Sequence, residues 1–109
     1  MTVTDWHDTL RRATGQTYFN EELACPNDHA VNISVFVGQY PWHSHPDSDE
    51  TFIVLEGRLI LEMEGRGELS LTPGQIYTVP AGAVHRTRGA AERNVNLTIG
   101  LRHRQTVFI

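Results

Sequence analysis

Hydrophobic and polar residues alternate with a period of two over much of the chain. In 30–37 and again in 95–101 every second residue is a branched aliphatic one, and 59–63 alternates in a similar way. The runs 51–55 and 76–79 are short and rich in β-branched and aromatic residues. Successive side chains of a strand point to opposite faces, so this pattern predicts β-strands that pack one face on a core.

Glycine and proline residues separate these runs, and the segments 69–71 and 107–109 are two further short apolar runs. The turn signals lie at Gly57, 65–67, 72–74 and 80–82. Gly and Pro at such positions favour tight turns. Short strands joined by tight turns predict an all-β fold, namely an antiparallel sandwich, barrel or jelly roll.

One segment near the N-terminus, residues 5–13, has helical rather than strand spacing. Trp6 and Leu10 lie about one turn apart, and Thr4 or Asp5 suits the N-cap position. A helix this short is not stable alone, so it is expected to pack on the rest of the protein.

The length of 109 residues suits a single domain, 1–109. The stretches 14–29 and 87–94 show no regular pattern and are expected to be linkers within it, because neither is long enough to separate domains. Apolar residues make up 39% of the chain and the net charge is -4, which is ordinary for a globular protein. The nine basic residues are all Arg and are scattered, which argues against a nucleic-acid partner.

The sequence also lacks the features of a membrane or secreted protein. No apolar run approaches the length of a membrane span, and the N-terminus has neither the basic nor the apolar region of a signal peptide. The single cysteine, Cys25, excludes an intrachain disulfide. We therefore expect a cytoplasmic protein with a free thiol and no membrane partner.

Four residues with metal-binding side chains occur near two of the predicted turns. His43, His45 and Glu50 follow the first alternating segment, and His85 follows the turn at 80–82. Three imidazoles and one carboxylate form a nitrogen and oxygen ligand set for a divalent transition metal ion. The set predicts one Fe, Mn, Ni or Zn ion per chain without choosing among these metals.

The spacing of the first three residues allows them to converge on one ion. His43 and His45 are two residues apart, so on a strand they point to the same side. The turn at 46–49 then reverses the chain, and Glu50 opens a strand beside the first. Phe52 shares the face of Glu50, which directs the carboxylate toward an apolar interior. Burial there is costly unless the carboxylate is paired or bound to a metal ion.

The two segments resemble the signature motifs of the cupin superfamily. Residues 38–57 are similar to the first motif, G-x4-H-x-H-x4-E-x6-G. Residues 74–89 are similar to the second, G-x5-P-x-G-x2-H-x3-N, whose final Asn is replaced by Gly89. The short interval 58–73 is similar to that of compact bacterial single-domain cupins of unassigned activity.

This resemblance implies a double-stranded β-helix, or jelly-roll barrel, that holds a metal ion. The ligands implied are His43, His45, Glu50 and His85. It does not imply a reaction, because cupins include dioxygenases, sugar isomerases and epimerases, decarboxylases and non-catalytic binding modules.

The ligand set leaves two functional hypotheses open. In octahedral geometry the ion keeps two adjacent positions free, where a small polar metabolite would bind and undergo dioxygenase-like or isomerase-like chemistry. In tetrahedral geometry the same four ligands saturate zinc. The alternative is therefore a non-catalytic binding or sensing module whose metal is mainly structural.

Residues near the ligands in the sequence are candidates for the substrate pocket. They are Tyr40, Trp42, Phe52, Tyr77 and Thr87. Arg86 follows His85 directly, so strand alternation is expected to send it to the opposite face.

The two ends of the chain carry apolar residues that a small barrel is not expected to bury. They are Trp6, Leu10 and the run 107–109. Because exposed apolar patches favour association, we expect a homodimer.

Overall fold

The computed structural model describes residues 1–109 and contains one α-helix and eight β-strands. The elements are α1 (Trp6–Arg12), β1 (Tyr18–Ala24), β2 (His29–Ser44), β3 (Glu50–Glu56), β4 (Leu59–Met63), β5 (Gly67–Leu71), β6 (Ile76–Val79), β7 (His85–Leu101) and β8 (Val107–Phe108). The predicted all-β class with a short N-terminal helix is confirmed. No helix is long and apolar enough to cross a membrane.

Two long strands, β2 and β7, form the centre of an antiparallel sheet. They pair from His29 opposite Leu101 to His43 opposite His85. The other edge of β7 pairs with two strands. The C-terminal part of β7 pairs with β3, and the N-terminal part of β7 pairs with β4. The remaining strands extend this frame, since β1 and β8 pair with β2, β6 with β3, and β5 with β4. The arrangement is consistent with a double-stranded β-helix.

Two apolar clusters lie on opposite faces of β2. The smaller, to which Val35 belongs, is covered by Leu10 of α1 and by Phe19 and Leu23 of β1. The larger consists of Phe36, Phe52, Val54, Leu59, Leu61, Met63, Leu71 and Val79. Both faces of this part of β2 are therefore largely buried, whereas a half-buried strand would turn one face to solvent.

The predicted helix is confirmed, and a polar network docks it on β1. Asp5 is the N-cap residue, and its carboxylate accepts a hydrogen bond from a main-chain N–H of the first turn. Thr9 is buried, and its hydroxyl donates to Glu21 at 2.9 Å. Arg12 pairs with the same carboxylate at 2.8 Å. These contacts hold the short helix against the smaller cluster.

The expectation that 14–29 and 87–94 are linkers is wrong, because 18–24 forms β1 and 87–94 is the middle of β7. The inward face of β1 carries the charged Glu21 between two apolar residues, so it lacks a clear apolar alternation. Residues 87–94 are polar, but the start of this segment pairs with β2 on one side and β4 on the other. Main-chain pairing, which periodicity does not report, keeps that segment extended.

Candidate metal centre

The four predicted ligand residues come together at one end of β2. His43 lies at the end of β2, Glu50 begins β3 and His85 begins β7, while His45 directly follows β2. All four residues are buried, and one nitrogen or oxygen atom of each lies within 4.8 Å of the others. The strand pairing of His43 with His85 joins the two sequence segments.

The two turns that carry these residues, 46–49 and 80–82, are connected by hydrogen bonds. The main-chain carbonyl oxygen of His45 accepts from the N–H groups of Ser48 at 3.3 Å and Gly82 at 3.0 Å. The carboxylate of Asp49 accepts from the N–H of Ala81 at 2.8 Å. These bonds join the 46–49 turn to the turn before His85, and so fix the separation of the two halves of the site.

The orientation of the imidazoles is set by hydrogen bonds at their outer nitrogens. The Nδ1 atom of each lies beside a main-chain carbonyl oxygen: His43 with Pro41 at 2.8 Å, His85 with Ala83 at 2.9 Å, and His45 with Gln105 at 3.0 Å. A carbonyl oxygen only accepts, so Nδ1 carries the proton in each pair. In the neutral ring, Nε2 is then left with a free lone pair.

These lone pairs meet the carboxylate of Glu50. Its Oε1 atom lies 3.3 Å from Nε2 of His85 and 3.4 Å from Nε2 of His45. Lone pairs that face an anion at this distance repel it unless a proton or a metal cation is shared between them. The donor set thus fits a divalent metal ion, and the buried His43, His45, Glu50 and His85 cluster could hold one.

The pKa values of the site reflect this crowding of charge. In the metal-free protein a proton shared with Nε2 takes the place of the metal cation. Burial opposes ionisation of Glu50, but such hydrogen bonds from His45 and His85 outweigh it and lower its pKa to about 2. Burial also opposes protonation of His45, yet the hydrogen bond and negative charge of Glu50 leave its pKa raised. The pKa of His43 is lowered, mainly by burial. In the metal-free protein, His45 is therefore the stronger proton acceptor of these two imidazoles.

We expect metal affinity to fall as the pH decreases. A protonated imidazole cannot coordinate, and the raised pKa of His45 means that protons begin to compete above its ordinary value of 6.5. For one displaced proton, the apparent Kd rises about tenfold per pH unit below that pKa. Competition with a chromogenic chelator from pH 8 to pH 5 measures this slope. An affinity that stays constant over the range would contradict coordination by His45.

A cavity of about 410 Å³ opens beside the cluster, and His43, His45 and Glu50 form part of its wall. Of the predicted pocket residues, Tyr40, Phe52 and Thr87 line this cavity. Its size suits a small-molecule ligand.

Two predicted pocket residues, Trp42 and Tyr77, are not in the cavity wall. Trp42 stacks under the guanidinium of Arg86, 4.7 Å from the ring centroid. Arg86 in turn donates to Glu62, so it faces away from the ligand cluster as strand alternation predicts. Tyr77 packs against the larger apolar cluster. Neighbouring position in the sequence does not distinguish these residues from those in the wall.

Several residues of the cavity wall were not predicted from the sequence to belong to the pocket. They are Tyr18, Asn20, Ser34, Asn96, Thr98, Arg104 and Thr106. One signal in the sequence points to two of them, because Asn96 and Thr98 recur at alternate positions of the otherwise apolar stretch 95–101. Such an alternation shows two distinct faces but leaves open which of them faces the interior. Here the polar face is turned inward, toward the cavity.

The fold and the buried His/Glu cluster define a cupin. The family model described as Cupin domain matches residues 37–99, more than half of the chain, and the protein belongs to this family. The match contains all four candidate ligands but ends before Arg104 and Thr106.

Individual relatives agree with this assignment. The chain is 42% identical over 94 residues to the uncharacterized protein YdbB of Bacillus subtilis, an alignment that covers 86% of this chain and 82% of YdbB. A cupin-2 domain containing protein from Shewanella frigidimarina has a TM-score of 0.81 at 28% identity and covers 92% of this chain and 95% of its own. DMSP lyase DddQ from Ruegeria pomeroyi has a TM-score of 0.74 at 24% identity, covering 87% and 53% respectively, and shares the fold.

Proposed function

We propose that this protein is a metal-dependent cupin that binds a small polar metabolite beside the ion and acts on it by dioxygenase-like or isomerase-like chemistry. One observation carries the proposal: three imidazoles, each fixed at Nδ1 by a carbonyl oxygen, meet a buried carboxylate in the wall of a cavity of about 410 Å³. A metal ion that keeps open positions would act there as a Lewis acid and as a template for the ligand.

The surrounding residues give this site a fixed shape. Tyr40 packs edge-on against His43, with ring centroids 4.9 Å apart, and Phe108 lies 6.0 Å from the same ring. These rings pack against His43, which is 3% exposed, and restrict its movement. Thr87 and Phe52 also line the cavity, so that the ligand would meet both polar and apolar surface.

The alternative function is non-catalytic binding or sensing with a mainly structural metal ion. It is favoured by the composition of the cavity wall, which contains no Asp, Glu or His besides His43, His45 and Glu50. A general acid or base would then have to come from the metal ligands themselves or from a tyrosine. The two functions differ in whether a bound ligand is converted.

The deciding experiment begins with protein purified without added metal. Elemental analysis should find close to one transition metal ion per chain, and chelation should lower the melting temperature, because metal binding to the folded state stabilises it. The metal-free protein is then reconstituted separately with Fe, Mn, Ni and Zn and incubated with a broad panel of metabolites. Metal-dependent turnover supports the enzyme.

Two results separate the alternatives further. Ligand binding without turnover for every metal favours the sensing module, and turnover that persists after complete metal removal excludes the proposed mechanism. The exposed His103 offers a matched control, since His103→Ala removes an imidazole outside the site and is expected to leave the metal content unchanged.

We also propose that residues 1–109 act as one domain that pairs as a homodimer. The support is an apolar surface at the C-terminus, where Val107, Phe108 and Ile109 are exposed to 44%, 58% and 75%. Light scattering with size-exclusion chromatography measures the mass directly. A mass of one chain at micromolar concentration would exclude the dimer.

A further inference from the structure

The loop between β7 and β8, residues 102–106, forms part of the cavity wall and is tied to the ligand cluster. The carbonyl oxygen of Gln105 accepts from Nδ1 of His45 at 3.0 Å, and the N–H of Gln105 donates to the Asp47 carboxylate at 3.0 Å. Arg104 and Thr106 both line the cavity. A cationic side chain is thereby held beside the candidate metal ligands.

The guanidinium of Arg104 is only partly satisfied within the protein. Nη1 donates to the carbonyl oxygen of Leu101 at 3.1 Å, whereas Nη2 lies 3.5 Å from Oε2 of Glu50, which is long for a charged hydrogen bond. Its Nε atom is buried and has no hydrogen-bond partner. Arg104 therefore retains hydrogen-bonding capacity at the cavity wall.

A second unsatisfied group lies in the wall of the same cavity. Asn96 is 3% exposed, and its Oδ1 atom has no hydrogen-bond partner. These two atoms, an arginine donor and an amide acceptor, are the buried side-chain polar atoms that the protein leaves unpaired. Buried polar groups are normally paired, so two exceptions in one cavity wall indicate groups that a ligand would satisfy.

We propose that the cavity binds a small hydroxycarboxylate, with the carboxylate directed to Arg104 and a hydroxyl group to Asn96. This inference rests on the proposed function, because it places the ligand beside the metal ion. A carboxylate with a neighbouring hydroxyl group can also occupy two adjacent open positions of a divalent ion.

Charge supports an anionic ligand over a neutral one. A divalent ion with the Glu50 carboxylate has a net charge of about +1, and Arg104 raises the local charge to about +2. Besides the metal-binding cluster, Arg104 is the one charged residue in the wall. The other polar side chains there include Asn20, Ser34 and Thr98, which are neutral and suit the hydroxyl groups of a polar ligand.

The test uses probes that differ only in the carboxylate. Protein loaded with Mn²⁺ is titrated with D-gluconate and D-glucitol, and with L-lactate and propane-1,2-diol, by calorimetry and by water-proton relaxation of the bound Mn²⁺. In at least one pair, the carboxylate probe is expected to bind at least tenfold more tightly than its neutral counterpart. Arg104→Gln should remove that preference and leave the neutral probe unchanged. Arg102→Gln is the matched control, since Arg102 lies in the same loop and pairs with Glu22 outside the cavity.

Metal content measured on the same samples separates this inference from the proposed function. Wild-type protein that takes up no Mn²⁺ contradicts the metal site itself. Full Mn²⁺ occupancy without a carboxylate preference in either pair overturns the hydroxycarboxylate and leaves the metal site standing. If the Arg104→Gln variant does not bind Mn²⁺, carboxylate binding is measured on the Arg104→Lys variant instead. Weaker carboxylate binding at full occupancy then supports recognition by the guanidinium, and unchanged binding overturns it.

Discussion

Replacing Glu50 with glutamine should abolish stoichiometric metal binding. Glutamine has the same shape but no charge, so three imidazoles and a neutral amide would remain. We expect the affinity to fall at least about a hundredfold, more than is typical when a residue that only orients a ligand is changed. The rise in melting temperature on adding metal should disappear with it. Elemental analysis and thermal unfolding, each with and without Mn²⁺ or Zn²⁺, measure both effects.

Glu62→Gln provides the matched control for this experiment. Glu62 also accepts hydrogen bonds from a cation, but its partner is Arg86 on the side away from the cavity. Its replacement should leave metal content unchanged and alter stability by no more than about 1 kcal/mol, as for other surface ion pairs. If Glu50→Gln retained one metal ion per chain at unchanged affinity, the assigned ligand set would be wrong.

The second large effect is expected from Asn94→Asp, a change of one atom in a fully buried side chain. The Nδ2 atom of Asn94 donates to the carbonyl oxygens of Phe36 at 3.0 Å and Ala91 at 2.9 Å, and its Oδ1 accepts from the N–H groups of Arg58 at 3.1 Å and Ala91 at 3.2 Å. An aspartate would turn an acceptor toward two carbonyl oxygens. It would have to bury a charge there or become protonated, and would still lose one donor.

We expect Asn94→Asp to lower the free energy of unfolding by about 3 kcal/mol, the size of effect seen when buried polar groups lose their partners. Urea unfolding of the metal-free protein at neutral pH measures it. Asn32→Asp is the control, because Asn32 makes one side-chain bond near the surface, to Asn20 at 2.8 Å. Equal stabilities for the two variants would show that the Asn94 network does not hold β2, β7 and the residue before β4 together.

The same asparagine accounts for the glycine at position 89, where the second cupin motif has Asn. A Cβ atom at Gly89 would lie 2.3 Å from Nδ2 of Asn94, and one at Gly57 would lie 2.6 Å from its Oδ1. Both glycines therefore leave room for the Asn94 amide. The sequence shows the departure from the motif, but only the folded chain shows that the side chain of Asn94 occupies the space beside it.

The candidate metal ligands could be predicted because their geometry is largely local. His43 and His45 share a side of one chain segment, and the 46–49 turn returns Glu50 beside them. Joining His85 to this group required the second motif and the fold that it implies. Glycine and proline at the turns, together with alternation of apolar residues, indicated most of the strands for the same reason, since turn type and strand periodicity depend on neighbouring residues.

The cavity could not be predicted in the same way, because its wall comes from residues far apart in the chain. Asn20, Asn96 and Arg104 become neighbours only when β1, β7 and the 102–106 loop meet around it. The pairing of β2 with β7 is also irregular between Tyr40 and His43, where three residues of β2 lie opposite two of β7. Tyr40 and His43 both line the cavity, whereas Trp42, which strand alternation alone would place with Tyr40, does not.

The sequence by itself determined most of the strands, the all-β class and the four residues that could hold a metal ion. These depend on periodicity, on turns and on short spacings. The tertiary structure decided which polar side chains face the interior and which of them remain unpaired. Those properties depend on long-range strand pairing: β7 places Asn96 in the cavity wall, and the loop that follows it brings Arg104 beside Glu50.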